Sequence, residues 1–268
     1  MSSAELRQVA RGPWVEWAAR AGHVAKGATY VVVALLAIQI PLGLGGETTD
    51  RQGALRTIAQ QPAGELMLLV LAGGLAGYAL WRFVQAFLDR DGEGKGPKGL
   101  AKRASYLARG LLYLGLCLVA LALVIGWGSS GGNEKEEAAW LLDKPGGRWL
   151  VAAVGAGFLA AGVYNGYRSL TGKFRKHLRE HEMGKAARPW TIAVGVLGHA
   201  ARAVVFALIG IFLVRAALQY DPQEAIGLDG ALLKVARAAY GQVLLGIVAA
   251  GLLAYGVYCF VQARYRAV

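Results

Sequence analysis

Long apolar runs alternate with short, largely basic polar pieces along the whole chain. Six runs, 22–44, 64–88, 105–127, 147–170, 191–217 and 241–263, are predominantly apolar over about twenty residues or more, the length a helix needs to cross a bilayer core of roughly 30 Å. Inside lipid every backbone polar group must be satisfied within its own segment, so these runs predict transmembrane helices. The first is too long for the apolar region of a cleavable signal, and an uncleaved first span is expected. The polar pieces are short, the longest being 218–240, and none is large enough to fold as a soluble catalytic domain. The expectation is an all-α integral membrane protein with no enzymatic activity and no cofactor.

The same pattern repeats. Gly22, His23, Lys26, Gly27 and Tyr30 recur as Ser105, Tyr106, Arg109, Gly110 and Tyr113, and again as Gly198, His199, Arg202, Ala203 and Phe206. In the even-numbered spans Gly74, Tyr78, Trp81, Phe83 and Gln85 correspond to Gly251, Tyr255, Tyr258, Phe260 and Gln262, and a more divergent copy surrounds Tyr164, Asn165 and Gly166. The first two copies keep a spacing of 83 residues, which carries Lys26 to Arg109, Gly64 to Gly147 and Trp81 to Tyr164. Three two-helix repeats, 17–90, 100–172 and 190–266, therefore lie within one membrane domain, 1–268. Two spans per repeat bring every repeat into the membrane from the same side, as parallel repeats around a pseudo-threefold axis along the membrane normal. Between the spans, the amphipathic segments 54–59 and 231–236 are expected to lie along the interface with their apolar faces toward lipid.

Composition agrees: 56% of the residues are hydrophobic and 17% charged, against about 45–50% and about 25% in an ordinary soluble domain. The net charge of +12 would suggest nucleic acid until its distribution is read. Sixteen Lys and Arg fall on the side holding the N-terminus, the loops 89–104 and 171–190, and the C-terminus; eight fall on the other side, beside ten acidic residues. Positive residues in short loops stay in the cytoplasm, so both termini are expected there, in a multi-pass cytoplasmic (inner) membrane protein. The charge then records topology, and no nucleic-acid partner is expected.

The residues with most chemical content are Lys26, Arg109 and Arg202, three cations at equivalent positions of the odd spans. A charge inside a membrane is costly and is a functional candidate by default, although these lie near the cytoplasmic ends, where a long side chain can snorkel to the headgroups. One helical turn to either side are Gly22 and Tyr30, Ser105 and Tyr113, Gly198 and Phe206, which share a face with the cation. A small residue there permits close helix approach, the mark of a protein-facing surface. With His23, Tyr106 and His199 three residues before the cations, these positions form a candidate site for an anionic solute or lipid headgroup. On their own, the rings before the cations read first as interfacial groups hydrogen-bonded locally and only second as a proton relay. Trp81, Tyr164 and Tyr258, with Tyr78, Tyr167 and Tyr255, read as aromatic-belt anchors, and Gly73 with Gly77 and Gly162 with Gly166 as helix-contact pairs. No metal site is expected: His177 and His181 share a turn but are crowded by Arg175, Lys176, Arg179 and Lys185. Cys117 and Cys259 sit in apolar runs as small buried hydrophobes.

With these motifs in view, the sequence resembles a family of bacterial six-helix membrane proteins catalogued only as a domain of unknown function, whose members carry three copies of a two-helix unit. The resemblance rests on the run 201–213 beginning Ala201-Arg202-Ala203, on 108–113 beginning Ala108-Arg109-Gly110, and on Gly64, Gly147 and Gly241, and it extends from about residue 17. The first copy departs in having Lys26 where the others have Arg. It implies membrane location and topology and supplies no activity. The plan is also similar in outline to mitochondrial solute carriers, whose odd-span Pro-acid-base motif is missing here. Two functions are carried forward: a transporter or channel-like protein with a basic site for a small anionic solute or headgroup, and a non-transporting structural or lipid-interacting membrane protein whose partner is membrane lipid with anionic headgroups.

Overall fold

The computed structural model describes residues 13–44, 48–94, 96–127, 134–184 and 187–266. Arg7, Arg11, Lys95 and Lys185, counted above toward the cytoplasmic charge, lie outside the described residues, as do the side chains of Lys135 and His177. Nine α-helices are described: α1 (Pro13–Gln39), α2 (Arg51–Ala59), α3 (Gly64–Phe87), α4 (Pro97–Val124), α5 (Glu134–Leu142), α6 (Gly147–Thr171), α7 (Ala187–Gln219), α8 (Leu228–Ala236) and α9 (Gly241–Tyr265). Six of them, α1, α3, α4, α6, α7 and α9, are long and apolar enough to cross a membrane, and no strand occurs among the described residues. Their lipid-type surface is visible in side chains such as Val70, Trp149, Val163 and Leu170, which are exposed although large and apolar.

The even spans begin where the apolar pattern places them, at Gly64, Gly147 and Gly241, whereas the odd spans start earlier than expected, at Pro13, Pro97 and Ala187 rather than 22, 105 and 191. Hydropathy detects the part of a helix that meets lipid, not the turns that extend into water. At α4 the start is set by Gly96 in extended conformation followed by Pro97, a residue preorganised for the first helical position. The preceding turn is held by Asp89, at φ 47°, whose carboxylate accepts from the backbone N–H groups of Glu93 (2.8 Å) and Gly94 (3.0 Å). Arg103 reaches back to donate to the carbonyls of Ala86 (2.7 Å) and Phe87 (3.2 Å). A cation thereby satisfies the last carbonyls of α3 and complements the negative end of its dipole.

Each repeat carries a short helix between its spans, α2, α5 and α8, and here the structure corrects the interfacial expectation. Ala54 and Leu55, Ala138 and Leu142, and Ala231 and Leu232 are buried against protein rather than turned to lipid. Ala138 packs with Ala216 and Ala225, and Leu142 with Val151 and Ala217. The chain then turns into the next span by the same elbow three times. The residue before the span has positive φ (Ala63 61°, Gly146 81°, Tyr240 57°). The following glycine N–H donates three residues back, Gly64 to Gln61 (2.8 Å), Gly147 to Lys144 (2.9 Å) and Gly241 to Ala238 (2.8 Å). A Cβ on any of these glycines would strike carbonyl oxygens of the short helix: Ala59 for Gly64, Leu141 for Gly147, Ala236 for Gly241. The glycine that marks each repeat is there because backbone meets backbone.

The chain divides into two compact units. One gathers the described residues within Met1–Ala28, Leu55–Ser129 and Cys259–Val268; the other those within Thr29–Ala54 and Ser130–Tyr258. In the first unit α1 and α3, the hairpin of repeat 1, meet through Gly22 against Tyr78 and Gly74 against Ala25. In the second, α7 and α9, the hairpin of repeat 3, meet through the same residues of the repeat, Gly198 against Tyr255 and Gly251 against Ala201. Gly77 faces Ala18 and Gly162 faces Ala203 and Ala207, while Gly73 meets nothing within 4 Å, so Gly74 takes the contact expected of Gly73.

Between repeats, an even span meets the odd span of the next repeat. Tyr78 of α3 packs on Tyr113 of α4 with ring centroids 4.4 Å apart, in the first unit. In the second unit Phe158 of α6 packs on Phe206 of α7 (5.6 Å) and Tyr255 of α9 on Tyr30 of α1 (4.9 Å). Tyr30, Tyr113 and Phe206 are the aromatics one turn after the repeated cations, so the sequence motif doubles as a packing motif.

Candidate functional site

In the first unit a polar cluster is built on one buried stretch of α3. Tyr78, Trp81, Arg82 and Gln85 lie within two helical turns and share a face at spacings of three and four, and all four are buried. Arg82, 4% exposed, donates from Nη2 to the Tyr78 hydroxyl (2.6 Å) and from Nη1 to Gln85 Oε1 (2.8 Å). Gln85 donates onward to Asp91 (2.8 Å). The guanidinium carbon lies 4.3 Å from the Trp81 ring centre, 4.9 Å from Tyr78 and 5.5 Å from Tyr106. Desolvated guanidinium over aromatic faces is stabilised by about 2 kcal/mol or more.

From α1, Lys26 places its ammonium 5.7 Å from the Tyr78 ring centre and is 8% exposed. His23 sits against both Tyr78 (5.4 Å, edge-on) and Trp81 (5.2 Å). Its Nδ1 lies 2.6 Å from the Ala19 carbonyl, which accepts the ring proton and assigns Nε2 as the acceptor facing Arg266 Nη1 at 3.3 Å. Arg266 also covers the Trp81 ring at 4.8 Å.

The second unit repeats part of this plan. His199 donates from Nδ1 to the Gly195 carbonyl (2.7 Å) and meets Tyr255 (5.6 Å) and Tyr258 (5.3 Å), as His23 meets Tyr78 and Trp81. Arg202, equivalent to Lys26, donates to the Tyr255 hydroxyl at 2.6 Å, with its guanidinium 4.4 Å from Tyr255, 4.6 Å from Phe206 and 5.8 Å from Tyr30. Tyr30 in turn accepts from Arg51 Nη2 (2.7 Å) at the start of α2. Arg51, Tyr30, Tyr255 and Arg202 thus form a row with a cation at each end and two packed phenols between, running from the short helix into the α1–α9 contact.

Repeat 2 departs from both. Arg109 is exposed on α4, Tyr106 is half-buried, and its hydroxyl donates to the Glu93 carboxylate (3.2 Å). A ring already bonded to a carboxylate contributes little to an anion site. The aromatic-belt reading fits only this repeat: Tyr164 and Tyr167 are exposed, but Tyr78, Trp81, Tyr255 and Tyr258 are buried and face the repeated histidines. Arg82 carries no repeat signal in the sequence, since its equivalents are Asn165 and Cys259. Arg51 carries none either, because a cation in a loop reads as solvated. A signal for Arg82 existed: a charge in mid-run, one turn from Tyr78.

A family model matches the chain three times, over residues 21–89, 104–172 and 197–266, in register with the repeated elements above. The chain belongs to the family described as Domain of Unknown Function (DUF1206). A DUF1206-type chain of this length is similar to an uncharacterized protein, YxxB, of Bacillus subtilis (strain 168), at 33% identity over 254 residues that cover 95% of this chain and 92% of that one. No solved structure matches. The six apolar helices and the three matches together describe a multi-pass membrane protein with three two-helix repeats, and the family description carries no activity.

Proposed function

We propose that this DUF1206 protein moves a small anionic solute across the cytoplasmic membrane, with both termini in the cytoplasm and three repeats arranged around a pseudo-threefold axis. The pairing of even spans with odd spans of another repeat, found within each unit, supports that arrangement. The observation that carries the functional reading is the row Arg51, Tyr30, Tyr255 and Arg202, in which two guanidinium groups bond two buried phenols at 2.7 and 2.6 Å. Successive positive positions, each weak enough to release an anion to the next, are what an anion pathway requires. Lys26 and Arg202 pack on the tyrosine of their own hairpin, which supports a functional role over snorkelling. The protein is not an enzyme in this reading.

The test is uptake of chloride, phosphate and succinate into proteoliposomes. Saturable uptake of at least one anion is expected, falling about tenfold or more in Lys26→Ala/Arg109→Ala/Arg202→Ala, the loss that 1.4 kcal/mol of missing stabilisation produces. Uptake no faster than in empty liposomes for all three anions contradicts transport; undiminished uptake in the triple variant contradicts the role of the cations.

The second reading, a lipid-interacting scaffold, is favoured by Arg109, which is exposed on α4 where a headgroup can reach it. It expects phosphatidylglycerol retained through detergent purification, and less of it in Arg109→Ala. Equal retention in both contradicts it.

A further inference from the structure

The first unit contains more hydrogen-bond donors than the protein uses. Arg82 carries five N–H groups and bonds two neutral acceptors, the Tyr78 hydroxyl and Gln85 Oε1, while its buried Nε has no acceptor among the described residues. The indole Nε1 of Trp81 is likewise buried without an acceptor. The Tyr78 hydroxyl accepts from Arg82, and its own hydrogen finds no acceptor among the described residues. Three residues on one stretch of α3, each at most 4% exposed, therefore hold unsatisfied donors beside a buried guanidinium. Lys26 adds a second buried positive charge. Buried donors are ordinarily paired, and buried charges are ordinarily compensated.

Repeat 3 is an internal control. At the position of Arg82 it has Cys259, and at the position of Trp81 it has Tyr258, whose hydroxyl donates to the Phe174 carbonyl (3.2 Å). Repeat 2 has Asn165, which donates to its own helix at Ala161 (2.7 Å), and the exposed Tyr164. At these aligned positions, among the described residues, repeat 1 is the copy that leaves donors over.

We propose that Arg82, Trp81 and Tyr78 form a binding site, one per chain, for a small monovalent anion of the size of chloride or formate. The enclosure of all three side chains selects against a lipid phosphate, which carries glycerol and acyl chains. The anion accepts from Arg82 Nε, the indole N–H and the phenol, and neutralises the guanidinium. This deepens the anion-transport reading and rests on it for a role, but binding is measured without flux.

The test uses the full chain in detergent, with thermal unfolding followed in sodium chloride, formate or gluconate at fixed ionic strength. Chloride and formate are expected to raise the melting temperature saturably by about 5 °C, and gluconate, too large for the enclosure, is not. Tyr78→Phe and Trp81→Phe each keep a ring and lose one donor, and are expected to raise the chloride concentration at half-effect about tenfold. Arg82→Gln abolishes the shift, and Tyr258→Phe, at the repeat-3 equivalent of Trp81, leaves the chloride response intact. If Arg82→Gln fails to fold, the two ring variants still decide. An unchanged half-effect in both, or a gluconate shift equal to that of chloride, overturns the site. Stabilisation by added phosphatidylglycerol but not by chloride or formate also overturns it. An Arg82-dependent shift without proteoliposome uptake leaves the site standing and removes transport; uptake without such a shift does the reverse.

Discussion

Gly198→Ala is expected to destabilise the protein by about 3 kcal/mol, and Gly22→Ala by a similar amount, the upper part of the usual range for overpacking. In both hairpins the added Cβ would meet the partner tyrosine at its backbone, Tyr255 Cα at 2.6 Å and Tyr78 Cα at 2.6 Å, as well as at its side chain. A side chain can rotate away from a methyl group; a helix backbone moves only if the whole span moves. The shift would also draw Arg202 away from the Tyr255 hydroxyl and Lys26 from Tyr78, so stability and anion response should fall together. Gly73→Ala, one turn before Gly77 on the same helix, meets nothing within 4 Å. It should be neutral or stabilising by about 0.5–1 kcal/mol from the reduced backbone entropy cost. Thermal unfolding in detergent separates them, with a fall of roughly 6–12 °C expected for the hairpin glycines. A Gly198→Ala protein as stable as Gly73→Ala would mean that α7 and α9 are not in contact there.

The second large effect belongs to the elbows. Gly64→Ala, Gly147→Ala and Gly241→Ala should each cost about 2–4 kcal/mol, because the new Cβ would overlap carbonyl oxygens of the preceding short helix. Relief requires the short helix to lift. For α5 that means withdrawing Leu142 from Val151 and Ala217, so Gly147→Ala should also open this region to proteolysis. Gly157→Ala, at an open position of α6, is the matched control. If all four variants melt alike, the elbow geometry common to the three repeats does not hold the short helices in place.

These glycines also show what could be read in advance. Gly64, Gly147 and Gly241 announced the starts of the even spans because a backbone contact admits no other residue, and such a contact leaves a fixed letter in the sequence. The odd spans carried no such letter. Their first turns mix Pro, Trp and charged residues outside the apolar runs, so Pro13, Pro97 and Ala187 mark helix starts that hydropathy passes over. Rings at the ends of even spans were misread because a tyrosine near a membrane boundary is spelled the same whether it is exposed, as Tyr164 is, or packs on a histidine of its hairpin partner, as Tyr258 does. Lys26 and Arg202 were legible as repeated cations. Their partners were not, since pairing with Tyr78 and Tyr255 depends on how the hairpin closes. Arg82 stood outside the repeat, marked in the sequence as a charge inside an apolar run, and its burial among Tyr78, Trp81 and Gln85 distinguishes it from an arginine that snorkels.

Whether the intramembrane cations serve an anion is tested most directly by crystals of the full chain grown in sodium bromide, with diffraction recorded at the bromine absorption edge. The expected result is an anomalous peak within hydrogen-bonding reach of the Arg82 guanidinium and the Tyr78 hydroxyl, absent in Arg82→Gln. Bromide found only at exposed cations such as Arg109, with none beside Arg82 or Arg202, would contradict it.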